Sequence, residues 1–282
     1  MTQAPASPGG PAGPAGPAGP ASTSLVVPHR FCGPPSSGNG GWVAGALAAL
    51  VPGARQGSGW AATTVSLRMP PPLDVPIEVA LGHGEAVASY AGRPVADARL
   101  AADDVLVGTV DAVPAEVARE AEGRYPGLAA HPFPTCFVCG TGREPGDGMR
   151  LFPGEVAPAE DGAVRAACTW VPDPSLADAA EHGHDGEEVA SLAAVWAALD
   201  CPGGWAGDLT ERLMVLARMT AVVDALPRIG EEHVVVGQAR GAEGRKTMTA
   251  STVHDADGRV VARCEQLWVA VDPATFGVQG PG

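Results

Sequence analysis

Two short groups of residues hold the chemistry that this sequence offers. "NGGWVAGALAAL", beginning at Asn39, opens an almost chargeless run on Asn39, Gly40 and Gly41. "VASLAAVWAALDCPGG", beginning at Val189, contains a single carboxylate in its second half, Asp200. The first amides of a helix lack intrahelical partners and carry the positive end of its dipole, so a helix start at Gly40 could stabilise negative charge developing on a carbonyl oxygen. Glycine there lets a substrate reach the backbone with no side chain between, and Asn39 could add a side-chain donor. Asp200 could activate water as a general base or attack an acyl carbon itself. Each group also has a purely structural reading. Asn and Gly are favoured N-caps. Asp200 followed by Cys201, Pro202, Gly203 and Gly204 reads as a helix stop, where the carboxylate would oppose the dipole by roughly 0.3–1 kcal/mol and need compensation.

Six cysteines, Cys32, Cys136, Cys139, Cys168, Cys201 and Cys264, invite a metal reading. "CFVCG" offers two zinc ligands, but a structural site wants four, and only His131, His182 and His184 lie near in sequence. The pair is therefore expected to be a buried or turn-forming one, with no metal. Cys201 lacks the His partner or basic neighbours that would make it a nucleophile. Arg68 and Arg218 could bind phosphates, or pair with surface acids as single strand arginines usually do. Trp42, Trp196 and Trp205, close to the two runs, could line an apolar pocket or pack in the core. "DGEE", residues 185 to 188, reads as a solvated loop.

The elements that would position these residues recur once. After "SLVVPHRFCG" and a Pro- and Gly-rich loop comes the run Trp42 to Leu50, then strand-like "WAATTVSLRM", "VPIEVAL", "EAVASYAG" and "RPVADARLA". In the second half "GMRLFPG" and "AVRAACTWV" read as strands before the run Val189 to Leu199. "RLMVLARMTAVV", "EHVVVGQAR", "KTMTASTVH" and "RVVARCEQLWVAV" follow, the last two joined by a "DADG" hairpin turn. Arg68-Met69 and Arg218-Met219 fall at similar offsets after the two helix starts, which points to an internal repeat. A helix apolar on all sides is buried on all sides. A curved antiparallel sheet around each helix achieves that, and two such units can place their sheets edge to edge.

The expected organisation is a Pro/Ala/Gly-rich tail over 1–22, a first domain over 23–113 and a linker over 114–134 carrying a short charged helix in "AEVAREAEG". A second domain over 135–273 and a tail over 274–282 complete it. With 18 Lys and Arg against 32 Asp and Glu, the net charge is −14, which argues against nucleic acid or an anionic membrane face as partner. Neither a secretory start nor a run of about 20 apolar residues is present, so a cytoplasmic protein is expected.

The sequence resembles the hotdog superfamily, in which a long antiparallel sheet wraps a central helix and the working unit is a pair of such domains. Its second half looks most like the phenylacetyl-CoA-type acyl-CoA thioesterases. "CFVCGTGREPGDGMRLF" is similar to that family's opening Cys-x-x-Cys-Gly and later Gly-hydrophobic turn, and "AAVWAALDCPGG" to its central helix ending in Asp. The first half matches through "NGGWVAG" and "VSLRMPPPLDVPIEV", so the resemblance spans about residues 24 to 272. It implies an α+β protein of two hotdog domains in one chain. In those thioesterases the helix begins His-Gly-Gly and has a carboxylate nine positions after the His. Here Asn39 stands for the His and Ala48 for the carboxylate in the first helix, while the second keeps Asp200 but reads Ser191, Leu192 and Ala193.

The resemblance further implies that Gly40 and Asp200 meet between the domains in one composite site, with Ala48 and Leu192 at a second, vacated one. Asp200, Gly40 and Asn39 would be catalytic, and Gly41, Trp42, Trp196, Arg68 and Arg218 would bind substrate. That substrate would be an acyl-CoA or acyl carrier protein thioester, coenzyme A entering only as part of it and no other cofactor being needed. Further association into a homo-oligomer would fit. The alternative is a non-catalytic module that binds acyl-CoA or another apolar thioester. A dehydratase is disfavoured, because no Asp is followed four residues later by His at a strand-to-helix junction.

Overall fold

A computed structural model describes residues 21–102, 105, 107–183, 185–207 and 209–276. Its elements run β1 Ala21–Val26, α1 Gly40–Ala48, β2 Arg55–Gln56, β3 Gly59–Leu67, β4 Pro76–Gly82, β5 Glu85–Tyr90 and β6 Arg93–Leu100. Then come α2 Ala115–Glu122, β7 Gly154–Val156, β8 Arg165–Trp170, β9 Ala177–His182, β10 Glu188–Ala190 and α3 Leu192–Ala206. β11 Met214–Val223, β12 His233–Glu243, β13 Lys246–His254 and β14 Val260–Ala270 complete the chain. No helix among the described residues is long and apolar enough to cross a membrane.

The two halves share one twelve-stranded sheet, ordered β1-β4-β5-β6-β3-β11-β14-β13-β12-β8-β7, with β2 beside β3. The seam is the antiparallel pair β3 and β11, where Ser66 opposes Arg218 and Val65 opposes Met219. These are the first long strands after α1 and α3, so the repeat meets itself edge to edge. Period-2 alternation explains the outer strands: Ile77 and Val79 of β4 and Ala86 and Ala88 of β5 point to the core, their neighbours outward. The "DADG" turn joins β13 to β14, with the Asp255 carboxylate accepting from the Asp257 and Arg259 amides and Gly258 at φ +78°.

Both chargeless runs form buried helices. Every residue of α3 is buried, and α1 buries Gly41, Val43, Ala44, Gly45, Leu47 and Ala48. They lie against each other as well as against the sheet. A Cβ on Gly45 would come within 2.7 Å of Trp196 Cβ and 2.8 Å of Ala193 Cα. Small residues thus let the two backbones approach.

Several expectations shift. Cys201-Pro202-Gly203-Gly204 does not stop the second helix: α3 begins later, at Leu192, and continues through Pro202 to Ala206. Asp200 therefore sits mid-helix and opposes no C-terminal dipole. Proline lacks an amide and crowds the preceding turn, and here the sheet braces the helix just before it. Gln266 Nε2 of β14 donates to the carbonyls of Leu199 (3.0 Å) and Asp200 (2.9 Å). Gln266 Oε1 accepts from Thr249, which in turn accepts from the Trp268 indole. Gly237 of β12 leaves room for the Pro202 carbonyl, 2.2 Å from where its Cβ would stand. Replacing Gln266 with Leu removes these buried hydrogen bonds, and the unfolding free energy should fall by about 2–3 kcal/mol, read as a lower urea midpoint at unchanged slope.

"GMRLFPG" is not a strand of the sheet. It runs beside the cysteine turn, Met149 and Leu151 donating backbone hydrogen bonds to Phe137 and Val138 at 2.8 and 2.9 Å, and only Gly154 enters β7. Val189, expected in the helix, and Glu188, expected in a loop, belong instead to β10, which pairs with β9 in a separate two-stranded sheet. β1 starts at Ala21, inside the expected tail. The stretch 114–134 carries the expected short helix as α2. His184 lies outside the described residues, as do residues 1–20 of the expected N-terminal tail and 277–282 of the C-terminal one.

Candidate functional site

Asn39 has the extended backbone of an N-cap, and its Oδ1 accepts from the Trp42 amide at 2.8 Å. That fixes the side-chain amide so that Nδ2 points away from α1, toward α3, where it donates to Asp200 Oδ2 at 3.1 Å. The Gly41 amide donates to the same oxygen at 2.9 Å. Asn39 is thus both an ordinary cap and a partner of the acid, on which its side-chain donor is spent. The approach depends on Gly41: a Cβ there would stand 2.5 Å from Asp200 Cβ and 2.6 Å from the Trp196 carbonyl oxygen.

Asp200 is 2% exposed, and its other oxygen, Oδ1, is buried with no hydrogen-bond partner among the described residues. Burial pushes the carboxyl up to about 7, and the Gly41 and Asn39 hydrogen bonds pull against that rise. The Gly40 amide donates to no acceptor among the described residues. Gly40, Asn39 and Asp200 all line one cavity of about 430 Å³, within the range of small-molecule sites. Its walls are mainly apolar, drawn from both halves: Leu67 and Met69 from the first, Met214, Leu216, Trp205 and Trp268 from the second.

Three thiols complete the wall beside the acid. Cys136, Cys139 and Cys201 are buried and line the same cavity. Cys136 Sγ lies 3.9 Å from Cys201 Sγ and 3.9 Å from Asn39 Nδ2. Hydrogen bonds from the Cys139 and Cys201 thiols hold Cys136 well below the ordinary thiol range, helped by the Cys139 and Val138 amides. Burial raises Cys139, and sharing with Cys136 raises Cys201.

No protein-family model matches the sequence, and no curated protein does. Among solved structures the chain is similar to a conserved protein of unknown function with a hot dog fold from Alicyclobacillus acidocaldarius. That match has 16% identity over 89% of this chain and 93% of that one, at a TM-score of 0.53. A putative thioesterase II from Thermobifida fusca matches at 14% identity over 89% and 92%, with a TM-score of 0.53. The tesB protein of Mycobacterium avium subs paratuberculosis matches at 10% identity over 83% and 87%, with a TM-score of 0.51. The fold is a double hotdog. Coverage of 83–89% of this chain means that both of its halves are matched, not one alone.

The double hotdog separates the remaining candidates. Arg68 lines the cavity but is held by Asp97, Nε to Oδ2 at 2.6 Å, in an exposed ion pair. Arg218 is exposed on the seam strand β11 and does not line the cavity. Trp42 stacks on Phe31 at a centroid distance of 4.3 Å, and Trp196 is buried against Gly45, so neither lines the cavity, whereas Trp205 does. Ala48 and Leu192 are buried and contribute nothing to this cavity. Arg245, which sequence reading passed over, lines it from the turn between β12 and β13 and donates to the Ala270 carbonyl.

Proposed function

We propose that this chain is an acyl-CoA thioesterase-like protein that hydrolyses a thioester at a single composite site between its two hotdog domains. The observation that carries this reading is the state of Asp200. One oxygen is held by the helix start of the other half, while the second is buried without a partner among the described residues, on a side chain that lines the same cavity as Gly40. The acyl carbonyl would sit with its oxygen at the free Gly40 amide, where one donor aimed at a developing oxyanion is worth about 2.7–4 kcal/mol. Asp200 Oδ1 would remove a proton from water as it attacks, the thiolate of coenzyme A leaving with a proton in turn. Direct attack by Oδ1 to give a mixed anhydride uses the same geometry.

The apolar walls suit an acyl chain, and Arg68 and Arg245 are the cavity's cationic side chains, suited to the phosphates of coenzyme A. A neighbour named as a putative thioesterase II shares the fold. Arg245→Ala should raise KM about fivefold for an acyl-CoA, the effect of one partly exposed charge contact. It should leave KM unchanged for the matching N-acetylcysteamine ester, which has no phosphates. Equal effects on both esters would remove Arg245 from nucleotide recognition.

A second reading is a binding module without turnover. It is favoured by the Gly41 amide, since a donor at the helix start is already taken by the carboxylate. Free-thiol release from a panel of acyl-CoAs, measured beside binding of the same panel, separates the two. Release above background supports the hydrolase, and saturable binding without release supports the module.

A further inference from the structure

We propose that Cys136, Cys139 and Cys201 form a binding site for a thiophilic divalent cation, zinc being the ion this donor set fits. The sequence shows only a Cys-x-x-Cys pair; the fold adds the third thiol from α3, 62 residues beyond Cys139. The three sulfur atoms lie within 4.8 Å of one another, and Cys136 to Cys201 is 3.9 Å. Sulfur atoms on a tetrahedral zinc at about 2.3 Å from the metal are about 3.8 Å apart, so small rotations would bring all three to ligating distance.

The loop is also built for it. The Gly140 amide closes a turn onto the Cys136 carbonyl at 2.9 Å, and a Cβ on Gly140 would stand 2.4 Å from that oxygen. Tyr125 donates to the Cys139 carbonyl at 3.1 Å, and His131 Nε2 lies 3.0 Å from the same oxygen, so both rings brace the turn rather than supply a fourth ligand. Because all three thiols line the cavity, the fourth position is left to water or another small ligand. Binding would release the thiol protons to solvent. The cation would fasten the cysteine turn to α3 beside Asp200. This inference does not depend on the proposed hydrolysis, since a non-catalytic protein with this wall would bind the ion equally.

The test is zinc analysis of the full chain purified under reductant, reconstituted with excess zinc and gel-filtered. About one equivalent per chain is expected to remain. Cys136→Ser and Cys201→Ser should compete with a chromophoric chelator at least a hundredfold less well, and Cys168→Ser, a buried cysteine of β8, should match the parent. Cobalt replaces zinc as a second readout that needs no variant: tetrahedral bands with strong sulfur-to-cobalt charge transfer are expected. The proposal is overturned if the parent chain retains no zinc, if either variant retains it as well as the parent, or if cobalt gives a weak octahedral spectrum. A Cys136 to Cys139 disulfide in the intact mass of the protein kept under reductant would overturn it too.

Discussion

Asp200→Asn is expected to abolish thioester hydrolysis and, at neutral pH with any metal chelated away, to make the protein more stable. The activity loss follows from removing the only carboxylate of the proposed mechanism while keeping its shape, and should be at least about a thousandfold. The stability gain follows from burial. Asp200 has an ordinary value of 3.8, and its environment raises it to about 7. The folded state therefore prefers the protonated acid. Below the unfolded value there is no penalty; as pH rises from there through about 7 the unfolded chain releases its proton first, and folding stability falls. The full penalty at pH 8 is on the order of 4 kcal/mol. Asparagine cannot ionise, and its oxygen can still accept from Gly41 and Asn39. Its amide would inherit the unpartnered place of Oδ1, which takes back about 1 kcal/mol. Chemical denaturation of both proteins should show the variant more stable by about 2–3 kcal/mol at pH 8, with the gap closing toward pH 4. An acid that merely decorates a helix would show neither effect. Unchanged turnover would remove Asp200 from the mechanism, and a less stable variant at pH 8 would mean that the carboxylate contributes more bonding than burial takes away.

Much of this arrangement was legible because its signals are local. α1 and α3 stand out as chargeless runs, Asn39 caps the first, and alternation marks β4 and β5. The hotdog resemblance then paired the two halves, and Asn39, Gly40 and Asp200 do line one cavity. What was misread depends on tertiary partners. Pro202 with two glycines looks like a stop, and only Gln266 and Gly237, far along the chain, let the helix continue. "GMRLFPG" has a strand's composition but pairs with a turn. Nothing local in "CFVCG" shows that α3 brings a third thiol, Cys201, beside it. Arg218 repeats Arg68 in sequence, yet the antiparallel seam leaves it exposed on β11.

Gly41→Ala should damage activity far more than its loss of stability accounts for. In an isolated helix it would gain about 1 kcal/mol of propensity. Here the new Cβ meets Asp200 Cβ at 2.5 Å, the Trp196 carbonyl at 2.6 Å and Ala197 Cα at 3.0 Å, two of them backbone atoms that cannot rotate aside. α1 and α3 must separate, and overpacking of this kind costs about 1–3 kcal/mol, toward the upper end when backbone is met. The separation also stretches the 2.9 Å bond from the Gly41 amide to Asp200, and a displacement of about 1 Å at a reacting group can cost a hundredfold in rate. Gly45→Ala provides the comparison, because its Cβ meets Trp196 Cβ at 2.7 Å and Ala193 Cα at 2.8 Å, one turn away from the acid. The two variants should lose similar stability by urea unfolding, and Gly41→Ala should lose far more of kcat. Equal losses of kcat would mean that the helices act only as packed core and that the contact between Gly41 and Asp200 positions nothing. A larger loss at Gly41 alone, at matched stability, places the start of α1 among the groups that aim the carboxylate.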